Sequence, residues 1–219
     1  MAKPRNAGRP TVILLVRHGR TPTTGSVLPG RAPGLHLSDE GQAQARSVAE
    51  RIAALGVGGR RAPVAVYASP LERTTETARP IARALGLRVR SERGLIECDF
   101  GRWTGSRLTV LARKREWTQV QRWPSGFRFP DGESFTEMQV RMTDTLSRLA
   151  ERHRGRTIVC VSHADPIKAA IAQAAGTPLD LFQRFVVAPC SVSTLAYAAG
   201  GPFLLTVNST AALTELAIA

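Results

Sequence analysis

Val12-Ile13-Leu14-Leu15-Val16 runs without a polar break into Arg17-His18-Gly19. A short, continuous, β-rich apolar run predicts a strand buried on both faces, as in a parallel sheet covered by helices. Residues 64–68 and 157–161 have the same character, and 87–89 is a shorter candidate. Helical patterns separate these runs. Residues 37–55 carry Val48, Ile52 and Leu55 at helical spacing behind Ser38 as N-cap. Ser69-Pro70-Leu71-Glu72 predicts a second helix, with Ser69 as cap, Pro70 in the first helical position, Glu72 completing a capping box and Gly86 as the stop. Ser134 and Glu137 repeat the capping-box signature ahead of a helix over 134–152. A last helix spans about 165–175, capped by either Ser162 or Asp165. Two final strands, 191–197 and 203–207, flank a hairpin at Ala199-Gly200-Gly201.

Strands alternating with helices predict an α/β fold, a three-layer α/β/α sandwich with a mostly parallel central sheet. One domain over residues 11–219 accounts for the pattern, preceded by a flexible basic tail at 1–10. The irregular stretch 91–130 reads as an insertion over the sheet edge with one helix near 108–117. Trp103, Trp117 and Trp123 are expected to pack that insertion onto the sheet, the alternative being that they line a substrate mouth.

At 219 residues the chain can bury a full core without metal or disulfide staples. Cys98, Cys160 and Cys190 are an odd, widely spaced set, which excludes a disulfide framework and favours a reducing cytoplasm. No zinc-type spacing occurs, so neither metal nor cofactor is expected. No run is apolar enough to cross a bilayer, and none of the first residues reads as a secretory signal. The net charge of +13 admits an anionic substrate or nucleic acid. Lys3, Lys114 and Lys168 are the only lysines, so the charge is mainly an arginine-filled surface. With aromatics at 5% and no recognised nucleic-acid motif, no nucleic-acid partner is expected.

In open α/β sheets ligands bind beyond the carboxyl ends of the strands. Three polar clusters fall there: 17–21, Ser69 with Arg73, and Ser162-His163. Two histidines and two arginines in one crevice suit a phosphoryl group. Arginine meets it with paired hydrogen bonds, and transfer needs mainly positioning and positive charge.

These residues carry a resemblance. Arg17-His18-Gly19 at a strand end resembles the signature of the histidine phosphatase, or phosphoglycerate mutase-like, superfamily. The match continues in order. Leu37-Ser38 with Gly41 and Gln44-Ala45 resembles the first helix, and Ser69 to Thr74 with Glu76-Thr77-Ala78 the second motif. Leu95, Glu97, Phe100-Gly101, Trp103 and Gly105 resemble the segment that holds the acid. Pro130 with Gly132-Glu133-Ser134, then Val161 to Ala164, complete the set. Residues 191–193 and 203–208 look like the actinobacterial branch of small phosphoglycerate mutase-like phosphatases.

The resemblance implies a histidine acid phosphatase-type phosphomonoesterase acting on a small phosphorylated metabolite. His18 would be the phosphorylated nucleophile, and Arg17, Arg73 and His163 would bind phosphoryl oxygens. Glu97 would protonate the leaving oxygen and then activate water, with Asp99 as a rival for that role. Thr24 would add a phosphate contact through its hydroxyl, without the amide donor of the asparagine many relatives carry. Asp165 stands where glycine is common. For Thr21 and Arg31, phosphate contact and turn or surface roles are equally open, whereas His36 and His153 read as surface residues. A phosphoglycerate mutase and a non-catalytic phosphate-binding protein are the alternatives. A homodimer through an edge strand stays open.

Overall fold

The computed structural model of the chain describes residues 8–55 and 62–211. Most of the expected tail at 1–10 therefore lies outside the described residues. The elements are β1 (Thr11–Arg17), α1 (Asp39–Ala54), β2 (Pro63–Ala68), α2 (Glu72–Ala84), β3 (Val89–Ser91), α3 (Leu108–Leu111), α4 (Arg115–Arg122), α5 (Phe135–Arg152), β4 (Thr157–Ser162), α6 (Ala164–Ala174), β5 (Val192–Ala198) and β6 (Gly201–Ser209). They form one sheet in the order β3-β2-β4-β1-β5-β6. The β3, β2, β4 and β1 pairings are parallel, and β5 and β6 add an antiparallel edge. The α/β/α expectation holds.

The alternation of side chains along a strand explains the layering. Val12, Leu14 and Val16 face Val48 and Ile52 of α1 and Ala78 and Ile81 of α2. Ile13 and Leu15 face Met142 and Leu146 of α5 and Ile167 and Ile171 of α6. With both faces covered, β1 reads as a continuous apolar run rather than an alternating one. Arg17 pairs with Ser162, so the carboxyl ends of β1 and β4 lie side by side.

Three expectations about the helices change. Ser69 does not cap α2. Leu71 occupies the N-cap position with no side-chain bond, and Thr74 Oγ1 donates back to the carbonyls of Ser69 (2.8 Å) and Leu71 (2.6 Å). For α6 the N-cap position is His163, neither Ser162 nor Asp165. Ser162 belongs to β4 and donates to the Leu95 carbonyl (2.7 Å), while Asp165 already lies in the first helical turn. The single helix expected near 108–117 is two short helices, α3 and α4.

The aromatic residues of the 91–130 stretch build a third cluster of their own. Phe100, Trp103, Phe127 and Phe129 pack with Phe135 and Met138 of α5, Ala169 and Ala172 of α6, and Phe182. This segment therefore rests on the helical layer. Trp103 is buried and Trp117 stacks on it at 6.2 Å. Trp123 is 58% exposed, so it does not pack the segment onto the sheet.

Two glycines fix the path of the chain after β1. A Cβ on Gly19 would stand 2.5 Å from the Gly41 carbonyl oxygen, and one on Gly41 would run into the Arg20 carbonyl. The Gly19 turn is thus seated directly on the first turn of α1. Ser38 caps that helix as expected, its hydroxyl accepting from Gly41 N–H (3.2 Å).

Candidate active site

The end of β1 and the start of α2 are tied together before any ligand is considered. His18 N–H donates to the Ser162 carbonyl (3.0 Å), holding His18 in register with β4. Gly19 N–H donates to Thr77 Oγ1 (3.0 Å), and that hydroxyl donates to the Arg73 carbonyl (2.7 Å). One threonine thus links the histidine turn to the arginine helix.

The His18 ring is buried, with Nδ1 2.8 Å from the Gly19 carbonyl oxygen. A carbonyl oxygen only accepts, so Nδ1 carries the proton and Nε2 carries the lone pair. His163 lies beside it, ring centroids 5.2 Å apart and planes 62° apart. Its Nε2 is 2.9 Å from Ser69 Oγ, while its buried Nδ1 has no protein partner. That Nδ1 is 3.9 Å from Glu97 Oε2.

Two guanidinium groups complete the cluster. Arg17 Nη1 donates to the Val187 carbonyl (2.7 Å), and its buried Nε has no protein partner. Arg73 is fully buried. Its Nη2 donates to the Gly30 carbonyl (2.8 Å), leaving Nε and Nη1 without a protein partner. Buried donors left unpaired are costly, on the order of 1–3 kcal/mol each and more when charged. Such a cluster of unpaired cationic donors is built to receive an anion.

Electrostatics set the proton positions. Burial, then the charges of Arg73 and Arg17, push the His18 pKa down to about 3. Burial and Arg73 likewise hold His163 well below the ordinary histidine range. Glu97 moves the other way, pushed up to about 7 by burial and by the carboxylate of Asp165, against the opposing pull of Arg73 and a hydrogen bond from Cys98 N–H. Near pH 7 the site therefore holds a neutral histidine with a free lone pair and a carboxyl group able to give or take a proton. Among the described residues no group of three or more His, Cys, Asp or Glu side chains is arranged to hold a metal ion.

The five central residues expected from the sequence, Arg17, His18, Arg73, Glu97 and His163, converge here. Thr24 is not joined to them by hydrogen bonds. Its hydroxyl accepts from Thr21 N–H (2.8 Å) and pairs with Thr21 Oγ1 (3.0 Å), which commits it to the turn. Asp99 is engaged elsewhere, accepting from Arg31 Nη1 (3.3 Å) and Gly101 N–H (3.0 Å). Arg31 is turned inward, its Nε donating to the Glu97 carbonyl (2.8 Å). Asp165 lies near enough to act on Glu97 and Arg17, with Lys168 Nζ at 3.8 Å. His36 is exposed beside Glu76, and half-buried His153 bonds Tyr67 (2.9 Å).

Ser69, placed with Arg73 at the strand end but given only a capping role, is the partner of His163, and Thr77 is a site residue to which motif reading gave no role. Their signal was a position at a strand end and one helical turn past Arg73. Arg141 carried no signal, since it reads as a surface cation of α5.

Comparison with known proteins shows which family and fold the chain is similar to. A model of the histidine phosphatase superfamily (branch 1) matches residues 13–210. The chain is 38% identical over 160 residues to an uncharacterised protein of Mycobacterium tuberculosis, covering 72% of this chain and 75% of that one. It is 31% identical over 211 residues to phosphoserine phosphatase 1 of Hydrogenobacter thermophilus, covering 93% and 94%. Among solved structures, a mutant phosphoserine phosphatase from Entamoeba histolytica in complex with phosphoserine superposes with a TM-score of 0.80 at 28% identity, covering 93% of this chain and 99% of that one.

Proposed function

The chain belongs to the histidine phosphatase superfamily, and on that premise we propose that it hydrolyses a small phosphomonoester, without a metal ion, through a phosphohistidine formed on His18. The observation that carries this reading is the His18 ring, locked by the Gly19 carbonyl with Nε2 unprotonated, beside an Arg73 guanidinium with two unpartnered nitrogens. The dianionic phosphoryl group docks on Arg17 and Arg73, which supply the charge a metal would otherwise bring.

His18 Nε2 attacks phosphorus and the bond to the ester oxygen breaks. Glu97 gives that oxygen its proton, and the freed alcohol leaves. Glu97, now a carboxylate, takes a proton from water as the water oxygen attacks the phosphohistidine. The phosphorus–nitrogen bond breaks, and His18 returns to its neutral state with Nδ1 still donating to Gly19. His163 Nδ1 is the further donor available to the phosphoryl oxygens once their charge raises its basicity. A Glu97 that is protonated below about pH 7 supports an acid phosphatase-type enzyme. The relative acting on phosphoserine makes that ester the first natural substrate to assay.

The test is hydrolysis of p-nitrophenyl phosphate in EDTA by wild type and His18→Ala. Activity that survives EDTA and is lost in the variant supports the reading. Undiminished activity in His18→Ala overturns the role of His18. An inactive wild type that moves phosphate between positions of a phosphoglycerate favours the mutase alternative.

A further inference from the structure

Glu97 sits on a stretch with little regular structure of its own. Between β3 and α3 the backbone makes only single 3-10 turns at Arg93–Leu95 and Gly101–Trp103. A proton donor must nevertheless be held to within about 0.5 Å of its productive place. The bonds that hold it lead to one carboxylate. Arg31 Nε donates to the Glu97 carbonyl at 2.8 Å, and Arg141 Nη2 reaches the same oxygen at 3.4 Å. Arg141 Nη1 also grips the carbonyls of Gly94 (2.8 Å) and Ile96 (2.9 Å).

Both guanidiniums are oriented by Glu133. Arg141 meets it through Nε to Oε1 (2.8 Å) and Nη2 to Oε2 (2.9 Å), the two-point geometry that fixes a guanidinium plane. Arg31 Nη2 reaches Oε2 at 2.9 Å. Glu133 also takes the backbone beyond the acid: Asp99 N–H donates to Oε2 (3.2 Å), and Glu133 N–H donates to the Asp99 carbonyl (2.9 Å). Its side chain is 13% exposed, so these pairs are screened less than surface ion pairs.

We propose that Glu133, acting through Arg31 and Arg141, is the positioning residue that aims Glu97 at the leaving oxygen. This rests on the reading of Glu97 as the proton donor. The pattern is specific to that duty. The carbonyls gripped are those of 94, 96 and 97, and the amide is that of 99, so the clamp brackets the acid through its backbone and leaves Oε2 facing His163 Nδ1 at 3.9 Å.

The test compares kcat/KM for phenyl phosphate and p-nitrophenyl phosphate, which differ in leaving group and little in shape. Poorly leaving phenol needs the acid more than p-nitrophenol does. Glu97→Gln is the reference and is expected to lose phenyl phosphate activity selectively. Glu133→Gln and Arg31→Met are expected to lose about tenfold more on phenyl phosphate than on p-nitrophenyl phosphate, part of the roughly 10²–10⁴-fold that general acid–base help supplies. Equal losses on both esters, or none, overturn the positioning role while the reference still shows selectivity. If Glu97→Gln itself shows no selectivity, the proton-donor reading fails first and takes the clamp with it. Should Glu133→Gln not fold by circular dichroism, Arg31→Met decides, since Arg31 is 30% exposed and its loss opens no core cavity.

Discussion

Ser69 Oγ and His163 Nε2 stand 2.9 Å apart, although 94 residues separate them in the chain. The hydroxyl that sequence rules assign to a helix cap is the buried partner of a site histidine. Removing it leaves the buried Nε2 without its protein partner. Ser69→Ala is therefore expected to cost about 1–3 kcal/mol in urea unfolding. It should also lower kcat/KM by about tenfold, as ring orientation is lost. A variant with unchanged activity and stability would show that His163 needs no such partner.

The pH profile follows from two opposite shifts. His18, lowered to about 3, stays a neutral nucleophile at all pH values above that. Glu97, raised to about 7, is a protonated donor only below that value. kcat/KM should hold a plateau on the acidic side and fall as pH rises through about 7. In Glu97→Gln that upper limb should vanish. A wild-type profile that keeps rising above pH 8 contradicts the assignment.

The same carboxyl has a signature in stability. A folded pKa raised from 4.5 to about 7 means that the folded state binds the extra proton between those values. Stability from this group falls as pH climbs through that window, by on the order of 3 kcal/mol. Glu97→Gln should gain stability relative to wild type at pH 8 compared with pH 5. Equal differences at the two pH values argue against a buried, protonated Glu97.

Arg73 should be recognisable by its response to phosphate. Inorganic phosphate at 100 times its Kd stabilises a folded protein by about 2.7 kcal/mol. Wild type should show that rise in thermal unfolding. Arg73→Met removes two unpartnered donors from a buried position, so it is expected to fold without the ligand yet lose the phosphate response. A full response in the variant would place the anion elsewhere.

Gly19→Ala tests the seat of the histidine turn. Its Cβ would stand 2.5 Å from the Gly41 carbonyl, and backbone at both ends cannot yield cheaply. A loss of about 1–3 kcal/mol and of most activity is expected. Gly8→Ala meets nothing within 4 Å and serves as the control.

What was readable in the sequence was what burial writes periodically. The runs at β1, β2 and β4 gave the sheet, and the capping box at Ser134 gave the start of α5 to the residue. Arg17, His18, Arg73 and His163 stood out because strand ends gather polar residues. Ser69 and Ser162 misled as helix caps because one local signal serves two purposes: a hydroxyl at a helix start can bond the helix or a partner far away in the chain. Arg31 and Arg141 were unreadable for a different reason. An arginine bound to a carbonyl 66 residues away, as Arg31 is to Glu97, leaves no trace in local spacing. The fate of the 91–130 segment was hidden likewise, since its aromatic cluster is completed by Phe135, Met138 and Phe182 from later elements.

The position of β1 in the middle of the sheet has a consequence for how the enzyme comes into being. On the ribosome, β1 emerges long before β4 and β5, the two strands that flank it. A nascent chain that has reached Arg73 and Glu97 holds the proposed nucleophile, a cation and the proposed acid, yet no neighbour has arrived to lock β1 into register. Ile13 must wait for Ile158 and Leu195. Long-range pairing of this kind makes assembly late and cooperative. The proposed catalytic set therefore comes together only once β4 and β5 have been made, and a chain stopped short of His163 lacks part of it however far β1 and α2 have formed.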